Sequence, residues 1–327
     1  MPQPPRDGLL SLWYATSPRL GHGGVVAGST AGLGSGGDSF YEYLVKGALF
    51  VEDSRSGASP QTVGAELSRY QALAAGLDRT MLFWERGSRR GEGGPHRGPA
   101  AYLNAHLEGT LTGSDPVAVG WQAGKPVVVE ELSCFAPAML LLGAVTADST
   151  ADTAAADTDT AAAIARGCLN MHHDPEVSAV GLPPDIIFAK LDPSTRDISL
   201  KTHSASPGYR LRPETIESIF YLSRLAKTAA DREAWRDVGW AIFEAIEAHC
   251  KRPAGYTALL DVRRLCTKEG DHHACFGKGG STERGDPDIG QPSYFLAETL
   301  KYCELHHKYQ LFCEFSMETA EIMENCP

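Results

Sequence analysis

Apolar residues recur at helical spacing in separate stretches along this chain. In Asp38–Asp53 (DSFYEYLVKGALFVED) they fall at Phe40, Leu44, Ala48 and Val51, which predicts a helix capped by Asp38 or Ser39. Ser59–Ala75 predicts another: Ser59 suits the cap, Pro60 the first helical position, and Val63, Leu67 and Tyr70 the apolar face. Glu130–Thr146 is mostly apolar and predicts a buried helix despite Pro137. Residues 147–163 are low-complexity Ala/Asp/Thr, read as an exposed insertion or as the solvated start of a helix over Ile164–His172. Pro/Gly turns flank two short strands, Asp185–Lys190 and Ile198–Thr202, and Gly255–Val262 reads as a further strand.

The stretch around which the rest is organised is Tyr209–Arg224 (YRLRPETIESIFYLSR). Pro213 suits a first helical turn, where its missing N–H costs nothing. From Ile216 to Leu222 the helix is apolar almost all round, hence buried. Asp231–His249 is the next helix, with Asp231 as cap and Trp235, Val238, Ile242, Phe243 and Ile246 as its core face. Ser293–Tyr302 (SYFLAETLKY) is the last, carrying Glu298 inside an apolar face. About seven helices with little strand predict an all-α fold, either a helical array or an α/α barrel.

Within that frame the charged residues stand out by position. Glu214 and Glu217 sit three apart in the first turns of a greasy helix, just after Arg212. A helix N-terminus favours negative charge by about 0.3–1 kcal/mol, less than the cost of burying a carboxylate. The pattern points to a polar site on a rigid scaffold; the alternative is a capped helix with a surface Arg–Glu pair. Asp38 likewise opens an aromatic-rich helix, where a plain cap is the alternative. The glycines at 32, 34, 36 and 37 make no convincing dinucleotide loop, because no clear strand precedes them.

Composition excludes several classes. The chain is 43% hydrophobic and 22% charged, with a net charge of −11. That balance argues against nucleic acid as a partner, and Arg86, Arg89, Arg90 and Arg97 lie among glycines in a solvated loop. No apolar run is long enough for a membrane span, and MPQPPRDGLL has no signal-peptide core. Eight cysteines without a CxxC pair exclude a zinc ribbon. His172 and His173 read as solvent-facing, and Asp271, His272, His273 and Cys275 match no structural zinc spacing.

Three stretches in register carry a family resemblance: DSFYEYLVKG (38–47), YRLRPETIESIFYL (209–222) and FLAETLKY (295–302). With SCFAPAMLLLGA (133–144) and GLPPDIIFAK (181–190) they resemble the signature blocks of the class I α-1,2-mannosidases, glycoside hydrolase family 47. The likeness runs over residues 8–302 and is strongest to the endoplasmic-reticulum and Golgi trimming enzymes, with the degradation-enhancing mannosidase-like proteins as the near alternative.

The resemblance implies an (α/α)7 barrel that removes terminal α-1,2-linked mannose from high-mannose N-glycans, with inversion and bound calcium. Asp38 matches the active-site aspartate and Glu214 the glutamate assigned as general base. Arg212 and Glu217 match residues around the sugar and the calcium-bound water. Glu298 matches a pocket carboxylate, and Tyr294 falls where the family has a Phe under the sugar ring. Cys134 and Cys168 match a family disulfide, which fits the lumen of the endoplasmic reticulum or Golgi.

Departures are equally specific. A family glutamate on an early helix precedes the first block and has no counterpart here. Glu131 replaces a His beside the sugar, Gly36 an Arg, and Pro292 a Glu. The FNTEAHP segment, whose Thr binds calcium, is not recognisable, and Thr319 is the candidate in its place. These features predict a single domain over 1–327: an incomplete (α/α)7 barrel with a divergent tail at 303–327, monomeric and without an anchor of its own. They also raise the alternative of a non-catalytic mannose-glycan-binding paralogue.

Overall fold

The computed structural model describes residues 14–16, 25–27, 30–53, 64, 67–68, 70–74, 82–84, 94–95, 98–105, 107–108, 126–146, 149–192, 194–195, 197–265 and 290–306. The Arg86–Arg97 cluster, apart from residues 94–95, lies outside these residues, as do Asp271–Cys275 and Thr319.

Helix α1 spans Asp38–Asp53 and buries Tyr41, Leu44, Val45 and Ala48. A turn of positive-φ glycine, Gly36 at φ 92°, launches it. Just before, Gly34 passes so close to the Glu130 carboxylate that a Cβ there would meet Oε2 at 2.5 Å. That approach lets the Ser35 N–H donate to Glu130 Oε2 at 2.7 Å. The start of α1 is thus fixed against the end of a strand.

That strand is β7 (Val127–Glu130), the edge of an antiparallel sheet ordered β7–β8–β9, with β8 at Ile186–Leu191 and β9 at Ile198–Thr202. Its register pairs Glu130 with Ile186 and Ile187 with Thr202. The two expected strands are therefore present, each displaced by a residue or less from its predicted start. The segment Gly255–Val262 contributes only β11 (Gly255–Tyr256), paired with β10 (Lys251–Arg252), and one bridge from Leu259 to Tyr209. Six further short strands (β1–β6) lie between Tyr14 and Glu108, in antiparallel pairs.

The apolar stretch after β7 is not one helix. A 3₁₀ segment, Glu131–Phe135, leads into α2 (Ala136–Ala144), and Pro137 falls in the first turn, where it removes no bond. Helix α2 is buried nearly all round and packs on the helices over Ala151–His173 and Glu214–Leu225. At Gly143 a side chain would collide with Tyr70, whose hydroxyl instead donates to Asp157 Oδ2 at 3.1 Å.

Helix α3 runs unbroken from Ala151 to His173. Of the two readings of residues 147–163, the structure gives the second. Thr150 caps the helix by accepting from the Thr153 N–H at 3.2 Å, and alanine, the best helix former, carries it forward. Burial begins at Ala161. His172, expected in solvent, is buried instead: Nδ1 lies 3.0 Å from the Gly181 carbonyl, and burial holds the ring neutral by pushing its pKa down to about 3.

Helix α4 (Glu214–Leu225) and α5 (Ala229–Cys250) pack together, joining Ile216, Ile219 and Leu222 to Trp235, Val238 and Ile242 in the core. The α5 cap is Thr228, not Asp231. Its hydroxyl accepts from the Asp231 N–H at 3.0 Å and donates to the Asp231 carboxylate at 2.7 Å. The last helix covers residues 293–306 with a π-helical turn at Phe295–Thr299, and its buried face carries Phe295, Thr299 and Tyr302. It runs four residues into the expected tail, burying His306 against Phe220. No helix among the described residues is long and apolar enough to cross a membrane.

Candidate active site

A cavity of about 500 Å³ opens where the starts of α1 and α4 meet the last helix. It falls within the ~300–1,000 Å³ of ordinary small-ligand sites. Asp38, Glu42 and Lys46 enter from α1, Leu132 and Phe135 from the 3₁₀ segment, Arg212, Glu214 and Glu217 from the α4 entry, and Tyr294, Glu298, Lys301 and Tyr302 from the last helix. Asp38 and Glu214, separated by most of the chain, share this one hollow.

The approach to α4 is shaped for the task. Leu211 is buried in the left-handed region at φ 61°, a conformation costing a bulky residue about 1–3 kcal/mol. Tertiary bonds hold it there: Thr299 Oγ1 donates to the Leu211 carbonyl at 2.7 Å and the Tyr294 hydroxyl to the Arg210 carbonyl at 2.8 Å. The kink turns Arg212 towards the cavity and fixes the Tyr294 ring at its rim.

Arg212 is held from behind by Asp185, with Nε donating to Oδ1 at 3.0 Å, while Arg210 donates to the other oxygen of the same carboxylate. Asp185 itself is tied into the scaffold: its N–H donates to the Gly208 carbonyl and its carbonyl accepts from the Glu131 N–H. Although burial opposes the guanidinium charge, the Asp185 and Glu131 charges outweigh it and drive the Arg212 pKa up.

On the other wall Lys46 donates to Glu217 Oε1 at 2.7 Å and also bonds Glu42. The Tyr302 hydroxyl donates to the same Glu217 oxygen at 2.6 Å. Burial alone would lower the Lys46 pKa; the Glu217 charge and the two bonds reverse this and raise it. Glu42 moves up because burial outweighs its bond to Lys46.

Glu131 is not among the residues lining the cavity. It lies buried beside Glu214, with Oε1 accepting from the Thr215 hydroxyl at 3.1 Å and from the Thr215 N–H at 3.4 Å. Burial pushes its carboxyl up against the pull of Arg212. Glu214 is pushed well up, first by burial and then by the neighbouring Glu131 charge.

Of the residues singled out in the sequence, Asp38, Arg212, Glu214, Glu217, Tyr294 and Glu298 all meet at the cavity. Cys134, in the 3₁₀ segment, is bonded to Cys168 of α3. Glu42, Lys46, Asp185 and Tyr302 were missed. The first two carried a signal, since Asp38, Glu42 and Lys46 are spaced by four and share one helix face.

The candidate calcium ligand, Thr319, lies outside the described residues. No group of three or more His, Cys, Asp or Glu among them is placed to hold a metal ion, and Glu217 Oε1 is already bonded to Lys46 and Tyr302.

A helical scaffold that gathers acids, an arginine and an aromatic face around one hollow defines a class: a carboxylate-rich site built at helix mouths. The chain belongs to glycosyl hydrolase family 47, whose model matches residues 10–316. It is 31% identical over 290 residues to mannosyl-oligosaccharide alpha-1,2-mannosidase IA of Spodoptera frugiperda, covering 88% of this chain and 33% of that protein. To human mannosyl-oligosaccharide 1,2-alpha-mannosidase IB it is 30% identical, covering 88% of this chain and 35% of the relative. The chain thus spans about a third of the length of these curated relatives. The solved alpha-1,2-mannosidase from Trichoderma reesei shares the fold with a TM-score of 0.59 at 20% identity, over 93% of this chain and 52% of the other. That likeness bears out the α/α-barrel architecture read from the sequence.

Proposed function

We propose that the cavity takes the terminal α-1,2-linked mannose of a high-mannose N-glycan and that the site serves its inverting hydrolysis. The observation that carries this reading is the convergence of Asp38 and Glu214, with Arg212, Glu217, Tyr294 and Glu298, on a single cavity. An inverting hydrolysis needs one carboxylate to draw a proton from water and one carboxylic acid to protonate the leaving oxygen. Water's oxygen bonds to the anomeric carbon as the glycosidic bond breaks. Glu214 is the carboxylate assigned to the water, and Asp38 is the second carboxyl group of the site. Arg212 and Glu217 offer charged hydrogen bonds to sugar hydroxyls, and Tyr294 an apolar face to the ring. The Cys134–Cys168 bond supports an oxidising compartment, the lumen of the endoplasmic reticulum or Golgi.

The test is incubation with a Man9 glycan, with and without calcium, followed by NMR of the anomer released. Release of β-mannose, lost in Glu214→Gln with the fold intact, is the expected result. Full turnover in that variant removes the role given to Glu214. A second reading, glycan binding without turnover, is favoured by the buried Glu131 beside Glu214, which opposes its ionisation. Saturable binding of the glycan without released mannose is its signature.

A further inference from the structure

We infer that Glu131 and Glu214 hold one proton between them, so that Glu214 meets the cavity as a carboxylic acid until the pair gives that proton up. The consequence for catalysis rests on the function proposed above; the shared proton does not.

Four observations lead here. First, the two side chains come from different elements, the 3₁₀ segment after β7 and the first residue of α4, and lie within hydrogen-bonding reach of each other. Second, Oε2 of each is buried and finds no donor among the described residues. Ionised carboxylates only accept, so two of them face to face leave both oxygens unsatisfied; a single proton supplies the missing donor. Third, the surrounding charge balances only with that proton. Arg210 and Arg212 face Asp185, Glu131 and Glu214: two positive groups against three acids. Among the described residues the other groups near the pair supply no further cation: Tyr209 and Tyr294 are neutral, and both are held so by burial. Across the cavity Lys46 is already engaged by Glu42 and Glu217, and Asp38 adds a further acid to the wall. Fourth, the proton has a preferred home. Glu131 keeps the Thr215 hydroxyl and N–H as donors and has the Arg212 guanidinium 4.0 Å away, so the negative charge settles on Glu131 and the proton on Glu214.

Glu131 is therefore a positioning residue for protons. With it in place, the carboxyl assigned to activate water starts out protonated, and base function waits for a higher pH.

The inference is tested by counting protons, without any glycan. The pH dependence of urea unfolding reports how many more protons the folded chain holds than the unfolded one. Wild-type protein is compared with Glu131→Gln, Glu214→Gln and the double variant. Each amide keeps the shape and donates an N–H to the surviving carboxylate, leaving it ionised. The expected result is that either single change removes one held proton at neutral pH and the double change removes no more than that one. Two outcomes overturn the proposal: a single change that leaves the count unaltered, or a double change that removes two protons. Carboxyl ¹³C shifts of the folded wild type give the same count directly, should a variant fail to fold. Neither readout depends on mannose release, so failure of the shared proton and failure of the mannosidase reading are separate results.

Discussion

Lys46 on α1 donates to Glu217 on α4 at 2.7 Å, and Glu217 is almost wholly buried at 3% side-chain exposure. Tyr302 closes the same oxygen from the last helix. Three elements of the barrel wall are thus joined at one carboxylate. Removing the cation leaves a buried charge with Tyr302 as its one side-chain donor among the described residues. Lys46→Met is expected to cost about 1–3 kcal/mol of stability, as for a charged group stripped of its partner. Adding Glu217→Gln to it is expected to restore part of that loss, because the orphaned charge disappears with it. A urea-unfolding double-mutant cycle checks both; full additivity of the two changes excludes the coupling.

Asp185 is expected to matter for ligand binding without touching the ligand. It fixes Arg212 through Nε at 3.0 Å, and Glu131 waits 4.0 Å from the same nitrogen. In Asp185→Asn the guanidinium loses its anionic partner and is drawn towards Glu131, away from the cavity. Charge-assisted bonds contribute about 1.5–3 kcal/mol, so affinity for a Man9 glycan should fall roughly ten- to a hundredfold. Isothermal calorimetry provides the measurement, and unchanged affinity in a folded variant rules out the positioning role.

A separate pH effect comes from α3. Asp157 accepts from the Tyr70 hydroxyl but burial dominates, raising its pKa from 3.8 to about 6. The folded value lies above the unfolded one, so the folded chain binds the proton more tightly. Its contribution to stability is complete below about pH 4 and disappears as pH rises through about 6. Asp157→Asn is expected to flatten this part of the stability profile and to raise the melting temperature at pH 7 relative to wild type. Melting curves between pH 4 and 8 decide; a variant whose profile keeps the wild-type slope excludes Asp157 as its source.

How far the sequence could be read follows from where each signal resides. The bounds of helix α1 were legible because its apolar spacing is local, although Phe40 of the expected face is exposed; so was the face of α5 built on Trp235, Val238 and Ile242. The α5 cap was missed by one turn because both Thr228 and Asp231 are good cap residues, and only the geometry shows that Thr228 accepts the Asp231 N–H while its hydroxyl donates to the Asp231 carboxylate. Residues 151–163 were ambiguous because an Ala/Asp/Thr run reads as low complexity, although its alanines favour helix. The four acids, the arginine and the tyrosine found at the cavity were named from helix-mouth positions and motif blocks. Asp185 was not, because its role depends on how β8 is paired and on the distant entry to α4, and no local pattern encodes either. Glu131 was placed beside the sugar by position alone; its burial behind Glu214 depends on the 3₁₀ turn after β7, which periodicity did not reveal.

That same 3₁₀ turn is where the disulfide acts. Cys134 sits three residues after Glu131 and is joined to Cys168 in α3, closing a loop over a sequence separation of 34. Opening it restores conformational freedom to the unfolded chain and releases the segment that carries Glu131, Leu132 and Phe135 from its anchor. Loop-closure entropy for a ring of this size amounts to about 3–4 kcal/mol. Reduction, or paired replacement of Cys134 and Cys168 by alanine, is therefore expected to lower unfolding stability by about that much. Glycan affinity should weaken at the same time, because Leu132 and Phe135 form part of the cavity wall. Urea unfolding and calorimetry with and without reductant measure the two effects. Loss of stability with affinity untouched would confine the bond to the scaffold; loss of both ties it to the site.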